Sequence, residues 1–147
     1  MAYFVTGATG FIGRYLVEKL LARGKPIYVL VRRGSMKKLA AAREAWGANE
    51  KQVIAIAGDL TKPNLGVSDD DLKKLKGKID HVFHLAAIYD LAAPADEQQA
   101  ANVEGTRNAI RFAEAVNAGC FQHVSSIAAA GLYDGVFRED MFEEAED

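Results

Sequence analysis

Apolar residues recur along this chain in five short runs rich in β-branched and aromatic side chains: Tyr3–Thr6, Ile27–Val31, Val53–Ala57, His81–Leu85 and Phe121–Ser125. Near-continuous apolar runs of this length predict strands buried on both faces. Between them polarity returns with helical spacing. One helix is expected from Phe11 to Arg23, stopping at Gly24, and a second from Met36 to Trp46. A short third follows Ser68, where Ser68-Asp69-Asp70-Asp71 makes a capping-box-like start with acids in the first turn. The longest is expected from about Glu97 to Asn117, with Asp96 and Gln99 able to cap its start and Gly119 past its end. Its Ala109, Phe112, Ala113 and Val116 share one face, which must be buried. Regular alternation of strand and helix predicts an α/β fold: a parallel sheet with helices on both sides.

The turn after the first run sharpens the picture. Val5-Thr6-Gly7-Ala8-Thr9-Gly10-Phe11-Ile12-Gly13-Arg14 is a glycine-rich stretch between a strand and a helix, the setting in which such a pattern seats phosphate. Gly7 permits a sharp exit from the strand, Gly10 lets backbone approach a pyrophosphate, and Gly13 lets the helix pack close to the sheet. The helix N-terminus adds N–H donors and a partial positive charge. The sheet is therefore expected to be doubly wound and Rossmann-like, with strand order 3-2-1-4-5. A dinucleotide would lie across the carboxyl ends of the strands.

The coenzyme's identity should be written at the end of the second strand, where an acid usually meets the ribose 2′-hydroxyl of NAD. Here the sequence is Tyr28-Val29-Leu30-Val31-Arg32-Arg33-Gly34-Ser35. Arg32, with Arg33 and Ser35, can bind a 2′-phosphate that a carboxylate would repel, which favours NADP(H).

Bulk properties narrow the setting. The 147 residues suit one domain, and with half of them hydrophobic a sizeable core is possible. A net charge of −2 gives no long-range pull toward nucleic acid or anionic membrane. The lone cysteine, Cys120, excludes an intrachain disulfide framework and reads as a small buried hydrophobe in a reducing compartment. No basic leader precedes the glycine loop and no apolar run approaches bilayer length, so a cytoplasmic protein is expected.

The glycine spacing Gly7-x-x-Gly10-x-x-Gly13, with Thr6 in front, resembles the T-G-x-x-G-x-x-G signature of the extended short-chain dehydrogenase/reductase superfamily. That resemblance implies further roles. Thr6, Ala8, Thr9, Phe11 and Ile12 would belong to the coenzyme loop with the three glycines. Asp59 and Leu60, in Gly58-Asp59-Leu60, would lie against the adenine. His84-Leu85-Ala86-Ala87 matches an H-x-A-A segment, in which Leu85, Ala86 and Ala87 pass the nicotinamide ribose and His84 is a hydrogen-bonded structural residue. Asn102-x-x-Gly105-Thr106 matches N-x-x-G-T, making Asn102 structural or part of a proton relay. His123-Val124-Ser125-Ser126 falls where the superfamily keeps its catalytic serine. The following Gly131 assigns that role to Ser126, with Ser125 as the fallback.

The superfamily also needs Tyr-x-x-x-Lys, the tyrosine acting as general acid or base. Tyr15 with Lys19 is the one formal match, on the first helix, from which it cannot face the nicotinamide. Tyr133 lies in the right region but has Phe137 four residues on. The chain closes at Asp147 in an acidic segment (Glu139, Asp140, Glu143, Glu144, Glu146, Asp147) before the expected helix. The expectation is the N-terminal, NADP-binding part of a longer reductase, with a naturally short nucleotide-binding protein as the alternative.

The phrases Val29-Leu30-Val31-Arg32, Gly58-Asp59-Leu60-Thr61, His84-Leu85-Ala86-Ala87-Ile88-Tyr89-Asp90 and Phe137-Arg138-Glu139-Asp140-Met141-Phe142 resemble the bacterial fatty acyl-CoA and fatty aldehyde reductases. This implies NADPH-dependent reduction of an acyl thioester or aldehyde, a small-molecule substrate. Family members often pair through the long fourth helix, so a homo-oligomer fits the resemblance. The alternatives are an NAD-dependent sugar-nucleotide epimerase or dehydratase, which Arg32 speaks against, and a non-catalytic NADP-binding module.

Overall fold

A computed structural model describes residues 1–87 and 100–141. Its strands are Ala2–Thr6 (β1), Ile27–Val31 (β2), Val53–Ala57 (β3), Ile79–His84 (β4) and Cys120–His123 (β5). They form one parallel sheet in the expected order, β3-β2-β1-β4-β5. The helices are Phe11–Leu21 (α1), Met36–Trp46 (α2), Asp69–Leu75 (α3) and Gly105–Ala115 (α4).

β1 is central, and all five of its residues are buried. Its alternating side chains feed two cores. Tyr3 and Val5 join Val17 and Leu20 of α1 and Leu39 of α2. Ala2 and Phe4 join Leu75 of α3 and Phe112 of α4 on the other face. The rings of Phe4 and Phe112 are 4.3 Å apart, which pins α4 to the sheet. Helices on both faces are thus dictated by a β1 that is buried at every position.

Several ends differ from the sequence reading. β4 begins two residues early, at Ile79; Asp80 is the extra residue where its register with β1 shifts, and its carboxylate pairs with Lys25 Nζ at 2.9 Å. Leu85 has left the strand, although its N–H still reaches the Thr6 carbonyl at 3.3 Å. β5 stops at His123, so Val124 and Ser125 belong to the loop beyond it. Cys120 is half-buried at the start of this edge strand rather than a core residue.

α3 begins as expected, with the Ser68 hydroxyl accepting from Asp71 N–H at 3.2 Å. α4 is not the uninterrupted helix expected: a π turn over Ala100–Glu104 precedes it. At its far end Asn117, at φ 52°, takes the left-handed cap instead of Gly119. Asn117 N–H bonds Glu114 O at 3.0 Å and Ala118 N–H bonds Ala113 O at 2.9 Å, the paired bonds of a Schellman ending. Gly119 serves packing, since a Cβ there would lie 2.9 Å from Asp80 O. The expected start of the long helix (Asp96, Glu97, Gln99) lies outside the described residues, as do Ile88, Tyr89, Asp90, Phe142, Glu143, Glu144, Glu146 and Asp147.

Register sets up the site. Thr6 pairs with His84, and His84 with His123, so three polar side chains lie side by side at the carboxyl ends of β1, β4 and β5.

Candidate coenzyme-binding site

Above that row opens a cleft of about 650 Å³, within the usual range for small-molecule sites. The glycine loop lines it through Gly7, Gly10, Phe11, Ile12 and Gly13. Leu85, Ala86 and Ala87 enter from the end of β4, Asn102 and Thr106 from the π turn and α4, and His123, Val124, Ser125 and Ser126 from β5 and its loop. Four segments distant in sequence therefore converge where the strand order changes direction.

The loop's shape follows from two glycines. Gly7 sits at φ 73°, and a Cβ on it would stand 2.8 Å from Ala86 N, so it lets β1's exit and the β4 loop touch. At Gly13 a Cβ would stand 2.0 Å from Gly7 O and 2.9 Å from Ala8. Gly13 thus admits the loop's own backbone, a closer partner than the sheet that the sequence suggested. Gly10 is the extended N-cap of α1 and offers no side-chain cap, and no acid occupies the first turn. The N–H groups of Phe11, Ile12 and Gly13 have no acceptor within the helix. An anion would supply one, so the donor set fits a pyrophosphate. Ala8 is buried in the α1/α2 core, and Thr9 is half-buried in the loop.

Thr6 lies beneath the cleft, wholly buried. Its hydroxyl accepts from Ala86 N–H at 3.2 Å and meets His84 Nδ1 at 2.8 Å. His84 Nε2 meets Thr106 Oγ1 at 3.1 Å. Burial, then the neighbouring His123, push the imidazole's pKa down to about 4. His84 is thus hydrogen-bonded at both ring nitrogens, as a structural histidine should be.

Arg32, Arg33, Ser35, Asp59 and Leu60 lie outside the cleft, at the ends of β2 and β3. Ser35 N–H bonds Arg32 O at 2.8 Å, which closes a tight turn bearing the exposed Arg32 and Arg33 ahead of α2. The Asp59 corner is held from three sides. Asp59 N–H bonds Leu65 O at 2.7 Å. The Leu60 carbonyl accepts from Asn108 Nδ2 at 2.9 Å. Asp59 Oδ1 accepts from the Thr61 N–H at 2.9 Å and hydroxyl at 2.8 Å. These bonds to Thr61, with smaller help from Lys62 and Arg32, hold the carboxyl below the usual range. Sequence reasoning missed Asn108, yet a polar residue on the apolar face of α4 was the signal.

Ser126 caps the short turn Ile127–Ala130, its Oγ accepting from Ala128 N–H at 3.2 Å. That bond leaves the hydroxyl proton of Ser126 free to donate. Tyr133 packs edge-on against Phe137, with centroids 5.5 Å apart. Tyr15 packs against Phe11 at 5.9 Å, and among the described residues no tyrosine lines the cleft. Among those residues, too, no group of His, Cys, Asp and Glu could hold a metal, and no helix is long and apolar enough to cross a membrane.

A doubly wound sheet of this order, with a T-G-x-x-G-x-x-G loop at its switch point, defines an extended short-chain dehydrogenase/reductase. Within that class the family described as Male sterility protein matches residues 5–147, and the chain belongs to it. Fatty acyl-CoA reductase 1 of Xenopus laevis is 34% identical over 142 residues, covering 85% of this chain and 28% of that protein. Nonribosomal peptide synthetase asaC of Aspergillus flavus is 32% identical over 138 residues, 87% of this chain and 14% of that protein. The terminal R domain of the myxalamid PKS-NRPS pathway superposes with a TM-score of 0.83 at 31% identity, covering 98% of this chain and 39% of that one. A UDP-galactose 4-epimerase structure gives 0.69 at 27% identity, covering 92% of this chain and 42% of that one. The chain spans less than a third of the curated relatives' own length.

Proposed function

We propose that this chain is the NADP(H)-binding portion of a reductase that reduces a long-chain acyl thioester or fatty aldehyde by hydride transfer. The observation that carries the reading is the end of β2. Arg32 and Arg33 stand exposed there in a turn that carries no acid of its own, on a sheet whose β1 loop opens into the cleft. A guanidinium fork suits a 2′-phosphate. Ser35 spends no side-chain bond on capping α2, and so keeps its hydroxyl for the same anion.

The bound coenzyme would supply the hydride. The chain's own residues would do the rest. Phe11, Ile12 and Gly13 offer N–H groups to the pyrophosphate. Asp59, one oxygen tied to Thr61, turns the other to the adenine amine. Ser126 donates to the substrate carbonyl oxygen and polarises it. Likeness to fatty acyl-CoA reductase 1 of Xenopus laevis supports a reductase of this kind.

An NAD-dependent sugar-nucleotide epimerase is the second reading, on the chain's likeness to the epimerase structure. Arg32, in the place of the acid that such enzymes use, counts against it. Assay of the full-length gene product with NADPH against acyl-CoA, aldehyde and UDP-sugar separates these. We expect NADPH oxidation with the first two. No oxidation would count against the reductase and favour a non-catalytic NADP-binding module. Arg32→Asp should weaken NADPH binding about tenfold or more and spare NADH; equal loss of both would refute the 2′-phosphate role.

A further inference from the structure

We propose that His84 is a positioning residue for the nicotinamide half of the cleft, held as its Nε2–H tautomer in a one-way chain of hydrogen bonds from Ala86 to Asn102. The inference rests on the coenzyme reading above. Its physical basis is that both ends of the chain have fixed polarity. At one end the Asn102 carbonyl can only accept, and Thr106 Oγ1 stands 2.6 Å from it. Thr106 must therefore spend its single proton there. At its 3.1 Å contact with His84 Nε2 it can then only accept, so Nε2 carries the ring proton. Nδ1 is left as a bare lone pair facing Thr6 Oγ1 at 2.8 Å, and Thr6 must donate to it. At the other end Ala86 N–H can only donate, and it finds Thr6 Oγ1 at 3.2 Å. Every donor meets an acceptor in this direction, and reversing any one link sets like against like.

The chain joins β1, the loop after β4, the π turn and α4 through side chains in or under the sheet. His84 itself is 1% exposed and does not line the cleft, whereas Ala86, Asn102 and Thr106 do. It acts through them. The groups packed on its ring from the sheet edge, Phe121 at 6.0 Å and His123 at 5.5 Å, offer no carboxylate to balance an imidazolium. A second ring proton would also confront the Thr6 hydroxyl with a donor. The neutral ring thus fixes where Ala86 N–H and the Asn102 turn stand, at the place where the nicotinamide ribose would pass.

Two variants and two probes test this on the purified protein. Thr106→Val keeps the side-chain shape and removes the acceptor for Nε2–H; Thr106→Ser restores the hydroxyl. Adenosine 2′,5′-bisphosphate occupies the adenine half alone, whereas NADPH spans both halves. Thr106→Val should weaken NADPH about tenfold while changing the bisphosphate less than about twofold, and Thr106→Ser should recover NADPH binding. Equal weakening of both probes, or unchanged NADPH binding, would overturn the positioning role alone. A wild-type protein that binds neither probe would overturn the coenzyme reading and the role with it. Nitrogen-15 NMR of the His84 ring supplies a readout independent of coenzyme: a protonated Nε2 with a bare Nδ1 supports the chain, and a protonated Nδ1 refutes it.

Discussion

Gly13→Ala is the sharpest perturbation of the loop. The added methyl carbon would stand 2.0 Å from Gly7 O and 2.9 Å from both Ala8 C and Ala8 Cα, all backbone atoms that no side-chain rotation can clear. Gly7 cannot simply retreat, because its own Cβ position already lies 2.8 Å from Ala86 N. Ordinary contact returns only if the loop shifts by more than about 1 Å. Overpacking of this kind costs about 1–3 kcal/mol, which for a domain of this size lowers Tm by roughly 3–12 °C. The same displacement moves the N–H groups meant for the pyrophosphate, and a misplacement of about 1 Å can cost a hundredfold in a preorganised site. Thermal unfolding and calorimetric titration with NADPH, run beside Gly34→Ala, provide the assay. A Cβ at Gly34 meets nothing within 4 Å, so that variant should keep the wild-type Tm. If Gly13→Ala matches wild type in both Tm and NADPH affinity, the packing argument for the loop is wrong.

Other consequences are more local. Phe112→Ala empties the site against Phe4 and should cost about 3–5 kcal/mol in urea unfolding, with no selective effect on coenzyme. Asn108→Ala strips the Leu60 carbonyl of its donor. It should cost about 1–3 kcal/mol and weaken adenosine 2′,5′-bisphosphate binding by loosening the Asp59 corner. His84 is held near pKa 4 when folded and returns to 6.5 when unfolded, so between those values the unfolded chain binds the extra proton. Stability should therefore be full above about pH 6.5 and fall by up to about 3 kcal/mol as pH drops to 4. Urea titrations at several pH values would show that slope, and its absence would contradict a buried neutral ring. Asp59, its carboxyl held below the ordinary value of 3.8, keeps its contribution across that window and loses it only as pH falls further.

Much of this was legible in the sequence because period and punctuation are local properties. Strands buried on both faces must be apolar nearly throughout, and β1 is, up to Thr6 at its end. Ser68 announces a helix start by chemistry that acts within one turn. The remainder depends on neighbours remote in sequence. β5 makes one last bond to its neighbour, from Val124 N–H to His84 O at 3.1 Å, before the chain leaves the sheet. The π turn before α4 leaves no compositional mark. Asn117 and not Gly119 caps α4, and Gly119 instead passes close to the backbone of Asp80. Gly13 faces loop backbone, which spacing alone could not distinguish from a sheet contact. The resemblance to a reductase family carried the choice of site segments; it gave no role to Asn108 or Thr61, which hold those segments in place.

The most direct measurement is isothermal titration of the folded protein with NADPH and with NADH. One-to-one binding of NADPH is predicted, tighter than that of NADH by at least about tenfold, since one charge-assisted fork to a 2′-phosphate supplies such a margin. Absence of heat with both coenzymes, or equal affinity for the two, would contradict it.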